Sequence, residues 1–222
     1  VIKVGLNPIV IDLMERRLIT GVAMNGAGII HDVELAMVGR TSEDVAAALD
    51  DGSFGMARET CTFLSEAIAS AREKSTGLGA AVGRTILDKR LPLMEKSILA
   101  AGARLGIPVT VHVAIGTDIL HMHPGFDPQA TGAATHLDFR LFSAIVATLD
   151  QGVYLNVGSA VILPELFLKA TTLVRNLGYT LEDFTTVNLD FIKHYRPLTN
   201  VVNRPTAKGG CGINLVGHHE IL

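Results

Sequence analysis

The 222-residue chain has no tryptophan, two cysteines and few charges, with Lys, Arg, Asp and Glu together at 18%. Each scarcity excludes something. Cys61 and Cys211 cannot build a disulfide framework, so a reducing, cytoplasmic setting is expected. Nineteen basic against 22 acidic residues leave a net charge of -3, with no basic excess to neutralise a phosphate backbone, so nucleic acid is not an expected partner. No apolar run is long enough for a bilayer, so no membrane is expected. There is no GxSxG elbow, which leaves acyl-enzyme chemistry without a nucleophile. Neither the full GxGxxG fingerprint nor a P-loop is present.

What is abundant is apolar material, 48% of the chain, enough for a sizeable core. The length fits a single α/β domain over residues 1–222. The chain starts at Val1 and soon enters the helix-like run "NPIVIDLMERRLI", so upstream sequence is expected to be missing from it.

Three short, β-branched segments read as buried parallel strands: Ile19–Asn25, Pro108–Gly116 and Gly152–Gly158. A fourth, Asp183–Phe191, is more amphipathic, and the apolar "INLVG" near the end predicts an ordered strand before "GHHEIL". Helical periodicity fills much of the rest. "TSEDVAAALDDG" opens with a capping-box pattern, Thr41 and Asp44. "LPLMEKSILAAGARLG" reads as one helix stopped by Gly106. "HLDFRLFSAIVATLDQG" and "PELFLKATTLVRNLG" follow the same plan. "REKSTGLGAA" and "NRPTAKGGCG" look like mobile loops. Met94, Phe139 and Phe167 are expected in the core. Strands alternating with helices predict a mostly parallel sheet with helices on both faces, in a Rossmann-like arrangement.

Such sheets bind ligands beyond the carboxyl ends of their strands. Three post-strand segments stand out: Asn25-Gly26-Ala27-Gly28, Gly116-Thr117-Asp118 and Gly158-Ser159-Ala160. Glycine lets backbone donors approach a phosphate, and a helix start adds favourable partial charge. A plain βα turn is the competing reading of either glycine turn taken alone, whereas two such turns on one sheet favour a ligand site. His31 and Asp32 follow the first turn and are candidate catalytic groups at a pocket mouth, although Asp32 also suits a helix start. Glu34 reads as a solvated residue, and Lys208 as a solvated lysine of a glycine-rich loop. In "TDILHMHPGFD", His121 and His123 would share one side of an extended segment and join Asp118 or Asp127 around a metal. Acid–base work by these imidazoles is the stronger expectation. The three loops are expected to converge on one pocket, so that Gly26, Asp118 and Ser159 share it.

Several of these segments resemble deoxyhypusine synthase. "GVAMNGAGIIHDVELA" is similar to that family's strand, glycine turn and acidic helix start, and "GIPVTVHVAIGTDIL" to its strand ending in an Asp-bearing loop. "GVYLNVGSAVILPELFLKATTLVRNLG" resembles its later strand, glycine-rich turn and helix. The resemblance runs in order from about Leu6 to Phe191. It implies an NAD-binding Rossmann-like fold, a homotetramer or other homo-oligomer, and a transferase acting on a small amine or polyamine. Carried onto this chain, Asn25, Gly26, Ala27, Gly28, Asp118, Gly158, Ser159 and Ala160 would hold the cofactor. The alternative is a protein binding a metal or other small ligand through the His and Asp residues near 118–127.

Overall fold

In the computed structural model, which describes residues 1–218, two compact units form, Ile2–Asp138 and the chain from Phe139 onward. The tail residues His219 and Glu220 lie outside the described residues.

The first unit begins with α1 (Asn7–Glu15), with Pro8 in its first turn, where a missing N–H costs nothing. β1 (Val22–Asn25) leads directly into α2 (Gly26–Val38). A short α3 (Val45–Leu49) precedes the long α4 (Arg58–Lys74) and α5 (Leu78–Asp88). α6 (Ile98–Leu105) then feeds β2 (Val109–His112). A 3₁₀ turn at Ile119–Met122 leads to α7 (Pro128–Val146), along which the boundary between the units falls. β1 and β2 pair in parallel, Val22 beside Val109 and Asn25 beside His112. Ile29, Val33, Leu64, Ile68, Leu78, Val82, Ile98, Leu99 and Val111 form this unit's core.

The second unit holds β3 (Val153–Val157), α8 (Ile162–Asn176), β4 (Thr185–Asp190) and β5 (Cys211–Val216). Its three strands run in parallel in the order β3-β4-β5. A π-helical turn, Leu198–Asn203, precedes β5. Tyr154 stacks on Phe167 with centroids 3.9 Å apart, and Phe184 meets Phe167 edge-on. Across the strands, Asn156 donates to Asn188 and Asn188 to the half-buried Asn214, so a polar row pins the register.

The α/β class and the parallel pairing agree with expectation, but the strands form two small sheets rather than one. Four local expectations need correction. "REKSTGLGAA" is not a mobile loop, because α5 starts within it and packs its glycines on backbone: a Cβ on Gly79 would overlap the Val109 carbonyl oxygen. Thr41 does not cap α3. Asp44 does, accepting from Ala47 N–H at 3.2 Å. The run from Leu91 to Gly106 is broken at Ser97, whose hydroxyl caps α6 by accepting from Ala100 N–H. Gly106 ends α6 with φ +68°, as its position suggested. Met94 falls in the 3₁₀ turn before that break and is exposed, whereas Phe167 is fully buried.

Candidate functional site

The parallel register of β1 and β2 brings both carboxyl ends to one edge of the small sheet. α2 starts there, and the loop after β2 folds back over its first turn. Asn25 is the N-cap: its side-chain oxygen accepts from Gly28 N–H at 2.9 Å. The glycine turn is therefore a capped helix start. It also has a neighbour, because a Cβ on Gly26 would overlap Asp118 Oδ2. Glycine at this position lets a carboxylate from the second loop lie against the helix start.

A cleft of about 210 Å³ opens beside this contact. Ala27, His31 and Glu34 of α2 line it, with Ser42 and Glu43 of the following loop, Thr117 and Asp118 of the second loop, and Lys3. Ser42 has φ +80°, a left-handed conformation uncommon for a residue with a side chain. Glu43 accepts from Gly55 N–H at 3.1 Å, which tethers the loop. Three carboxylates thus face one space with a single lysine.

His31 is half-buried, and its Nδ1 lies 2.6 Å from Thr41 Oγ1. The Thr41 hydroxyl donates in turn to Glu34. Burial lowers the His31 pKa, the Glu34 carboxylate works against that, and Lys3 adds to it. Burial raises the Asp118 pKa, against the opposing effects of His121 and the Thr117 hydroxyl.

Asp32 sits elsewhere. It is fully buried and accepts from Asn7 Nδ2, the Ser97 hydroxyl, and the N–H groups of Ile98 and Leu99. Its carboxylate is committed to the start of α6, an electrostatic role at a helix N-terminus, although not at its own helix. Burial raises its pKa despite those four donors.

The two histidines of the second loop are not side by side on an extended segment, because Ile119–Met122 is a 3₁₀ turn. His121 Nδ1 accepts from Gly116 and Asp118 N–H, closing a capping box with Asp118, and its ring packs edge-on to Phe126. His123 Nδ1 accepts from Gly125 N–H. Asp127 caps α7 through Ala130 N–H and pairs with Arg72. Among the described residues, no three His, Cys, Asp or Glu side chains are grouped to hold a metal ion.

The remaining turn, Gly158-Ser159-Ala160, belongs to the second unit. Gly158 has φ +65° with open space where a Cβ would be. Ser159 carbonyl accepts from Asn156, and its hydroxyl accepts weakly from Leu163 N–H in the first turn of α8.

The resemblance implies NAD at the two glycine turns, and the two differ in what they offer it. The first does not suit a pyrophosphate: Asn25 already takes the Gly28 N–H, and a phosphate would meet the Asp118 carboxylate. The second is compatible with close approach of an anion, since Gly158 is unobstructed.

Sequence reasoning did not single out Glu34, Thr41 or Glu43 as site residues. His31 and Glu34 are three apart on α2 and so share a face, a signal available in the sequence. Thr41 needed the loop's path. A larger depression of about 450 Å³, lined by Arg58, Glu59, Glu66 and Lys89 among others, includes no post-strand loop, and its Lys89 is already paired with Glu66. No protein-family model matches the chain, and no curated protein matches it. Among the described residues, no helix is long and apolar enough to cross a membrane.

Proposed function

We propose that the cleft of the first unit binds a small amine in its ammonium form. One observation carries this reading: the carboxylates of Glu34, Glu43 and Asp118 line one space of about 210 Å³, with Lys3 as the only cation among its lining residues. Glu34 and Asp118 are half-buried and Glu43 is exposed; the two half-buried carboxylates attract a cation more strongly than solvated ones, because water screens them less. An ammonium beside Asp118 offsets the burial that raises its pKa, so binding and ionisation support each other. The size suits a short diamine or polyamine, the substrate class that the resemblance to deoxyhypusine synthase implies. The test is thermal unfolding with 1,4-diaminobutane, because a ligand selective for the folded state raises its stability. Glu43→Gln is expected to reduce the shift. An unchanged unfolding temperature at millimolar diamine overturns the reading.

A second reading has an observation of its own. The open left-handed Gly158 and the Ser159 hydroxyl at the start of α8 support NAD binding in the second unit. In that reading the chain is a Rossmann-like, NAD-dependent transferase of the deoxyhypusine synthase type, working as a homo-oligomer in the cytoplasm. Stabilisation by millimolar NAD that is lost in Gly158→Val supports it, and no stabilisation removes it.

A further inference from the structure

The Thr41 hydroxyl has one proton, and two acceptors compete for it. Its oxygen lies within hydrogen-bond distance of both His31 Nδ1 and Glu34 Oε2. The Thr41 hydroxyl donates to Glu34 Oε2, so the Thr41 proton lies between Thr41 and Glu34. A short oxygen–oxygen contact without it would be repulsive. The remaining contact, at 2.6 Å, then needs its proton from His31 Nδ1. Glu34 is itself held from a second side by Thr60, whose hydroxyl donates to Oε1 at 3.4 Å. The chain Glu34, Thr41, His31 therefore has one consistent direction of donation.

We infer that Thr41 is a positioning residue that fixes His31 as the Nδ1–H tautomer and leaves Nε2 as a hydrogen-bond acceptor for an N–H of the amine in the cleft. The inference rests on the amine reading for its ligand, but the tautomer itself does not. Among the described residues, His31 Nε2 makes no hydrogen bond, and His31 lines the cleft. A neutral imidazole suits a cationic guest, whereas an imidazolium repels it. Burial and Lys3 keep the ring neutral more readily than Glu34 charges it. The other charged groups on the cleft are Glu43 and Asp118.

The consequence is a specificity. Carboxylates attract any cation, but an imidazole lone pair rewards only a cation that carries N–H groups. Primary ammonium is therefore favoured over quaternary ammonium of the same charge. No proton is transferred: the ligand keeps its N–H bond and the imidazole keeps its lone pair as acceptor.

The experiment has two independent readouts. The first is the imidazole ¹⁵N spectrum of His31 in the free protein at neutral pH, assigned with His31→Gln. The protonated nitrogen is expected to be Nδ1 in the wild type and in Thr41→Ser, with the mixture shifting towards Nε2–H in Thr41→Val. The second is calorimetric affinity for 1,4-diaminobutane against its bis(trimethylammonium) analogue. Thr41→Val is expected to weaken the diamine by about tenfold, the scale of one hydrogen bond to a charged group, and to leave the quaternary analogue unchanged. Thr41→Ser is expected to restore the preference. An Nε2–H tautomer in the wild type overturns the inference whatever binds. Equal losses for both ligands in Thr41→Val overturn the acceptor role. Failure of the wild type to bind either cation overturns the amine reading and the specificity together, while the spectrum still decides what Thr41 does.

Discussion

The Asp118 carboxylate occupies the space that a side chain on Gly26 would need. Gly26→Ala should therefore act on the cleft rather than on the fold. The obstructing atom is the end of a short side chain that can rotate away. Diamine affinity is expected to fall about tenfold with the loss of one charge-assisted contact, while the urea midpoint changes little. Isothermal titration and urea unfolding of the same variant check this. Unchanged affinity would show that Asp118 takes no part in binding.

Gly79→Ala should do the reverse. Gly79 is the second residue of α5, and a new methyl group there meets the Val109 carbonyl oxygen, which is part of β2 and cannot rotate aside. Overpacking of this kind costs about 1–3 kcal/mol. Gly132→Ala in α7 is the control, since nothing lies within 4 Å of its Cβ position, and it is expected to gain up to about 1 kcal/mol. Chemical denaturation of both variants should move their midpoints in opposite directions.

Asp32→Ala should damage stability and spare the cleft. Removing the carboxylate leaves Asn7, Ser97 and the first N–H groups of α6 without their acceptor. A loss of several kcal/mol is expected, because a buried donor left without its acceptor costs about 1–3 kcal/mol. At a temperature where the variant is folded, diamine affinity should match the wild type. A selective loss of affinity in a stable variant would instead give Asp32 a role in the site.

Asp138 and His112 should pull the pH dependence of stability in opposite directions. Burial lifts Asp138 to about 6, against the N–H groups of Gly79, Val111 and Leu78, which lower it. The folded state then holds a proton that the unfolded chain releases near 3.8, so this contribution is largest below pH 3.8 and fades as pH rises to 6, by about 3 kcal/mol. Burial lowers His112 to about 4, so the folded state refuses a proton that the unfolded chain accepts near 6.5. That contribution is full above pH 6.5 and is lost as pH falls to 4, again by about 3 kcal/mol. Between pH 4 and 6 the two slopes oppose each other. Asp138→Asn should make stability rise more steeply with pH than in the wild type, and His112→Gln less steeply. Urea unfolding at half-unit steps from pH 4 to 7 reads both, and parallel curves for all three proteins would contradict the assignment.

The sequence by itself determined the local elements. β1, β2 and β3 were legible as short β-branched runs, and Gly106 as the end of α6, because strand propensity and a left-handed C-cap depend on neighbours along the chain. It also marked the post-strand loops where the cleft opens and named His31 and Asp118 among its lining residues. The tertiary structure decided what those elements do together. Nothing local says that β1 and β2 form one ladder while β3, β4 and β5 form another, because partner choice depends on contacts far apart in sequence. Nothing local moves Asp32 from a pocket wall to the start of α6, more than sixty residues away. The glycines of α5 looked like a loop because glycine is a poor helix former, and only the backbone of β2 lying against Gly79 explains why it is there. Thr41 read as a helix cap, since Ser and Thr favour that place. Its hydroxyl is instead drawn to Glu34 and His31 by the path of the loop, and that path is a property of packing rather than of propensity.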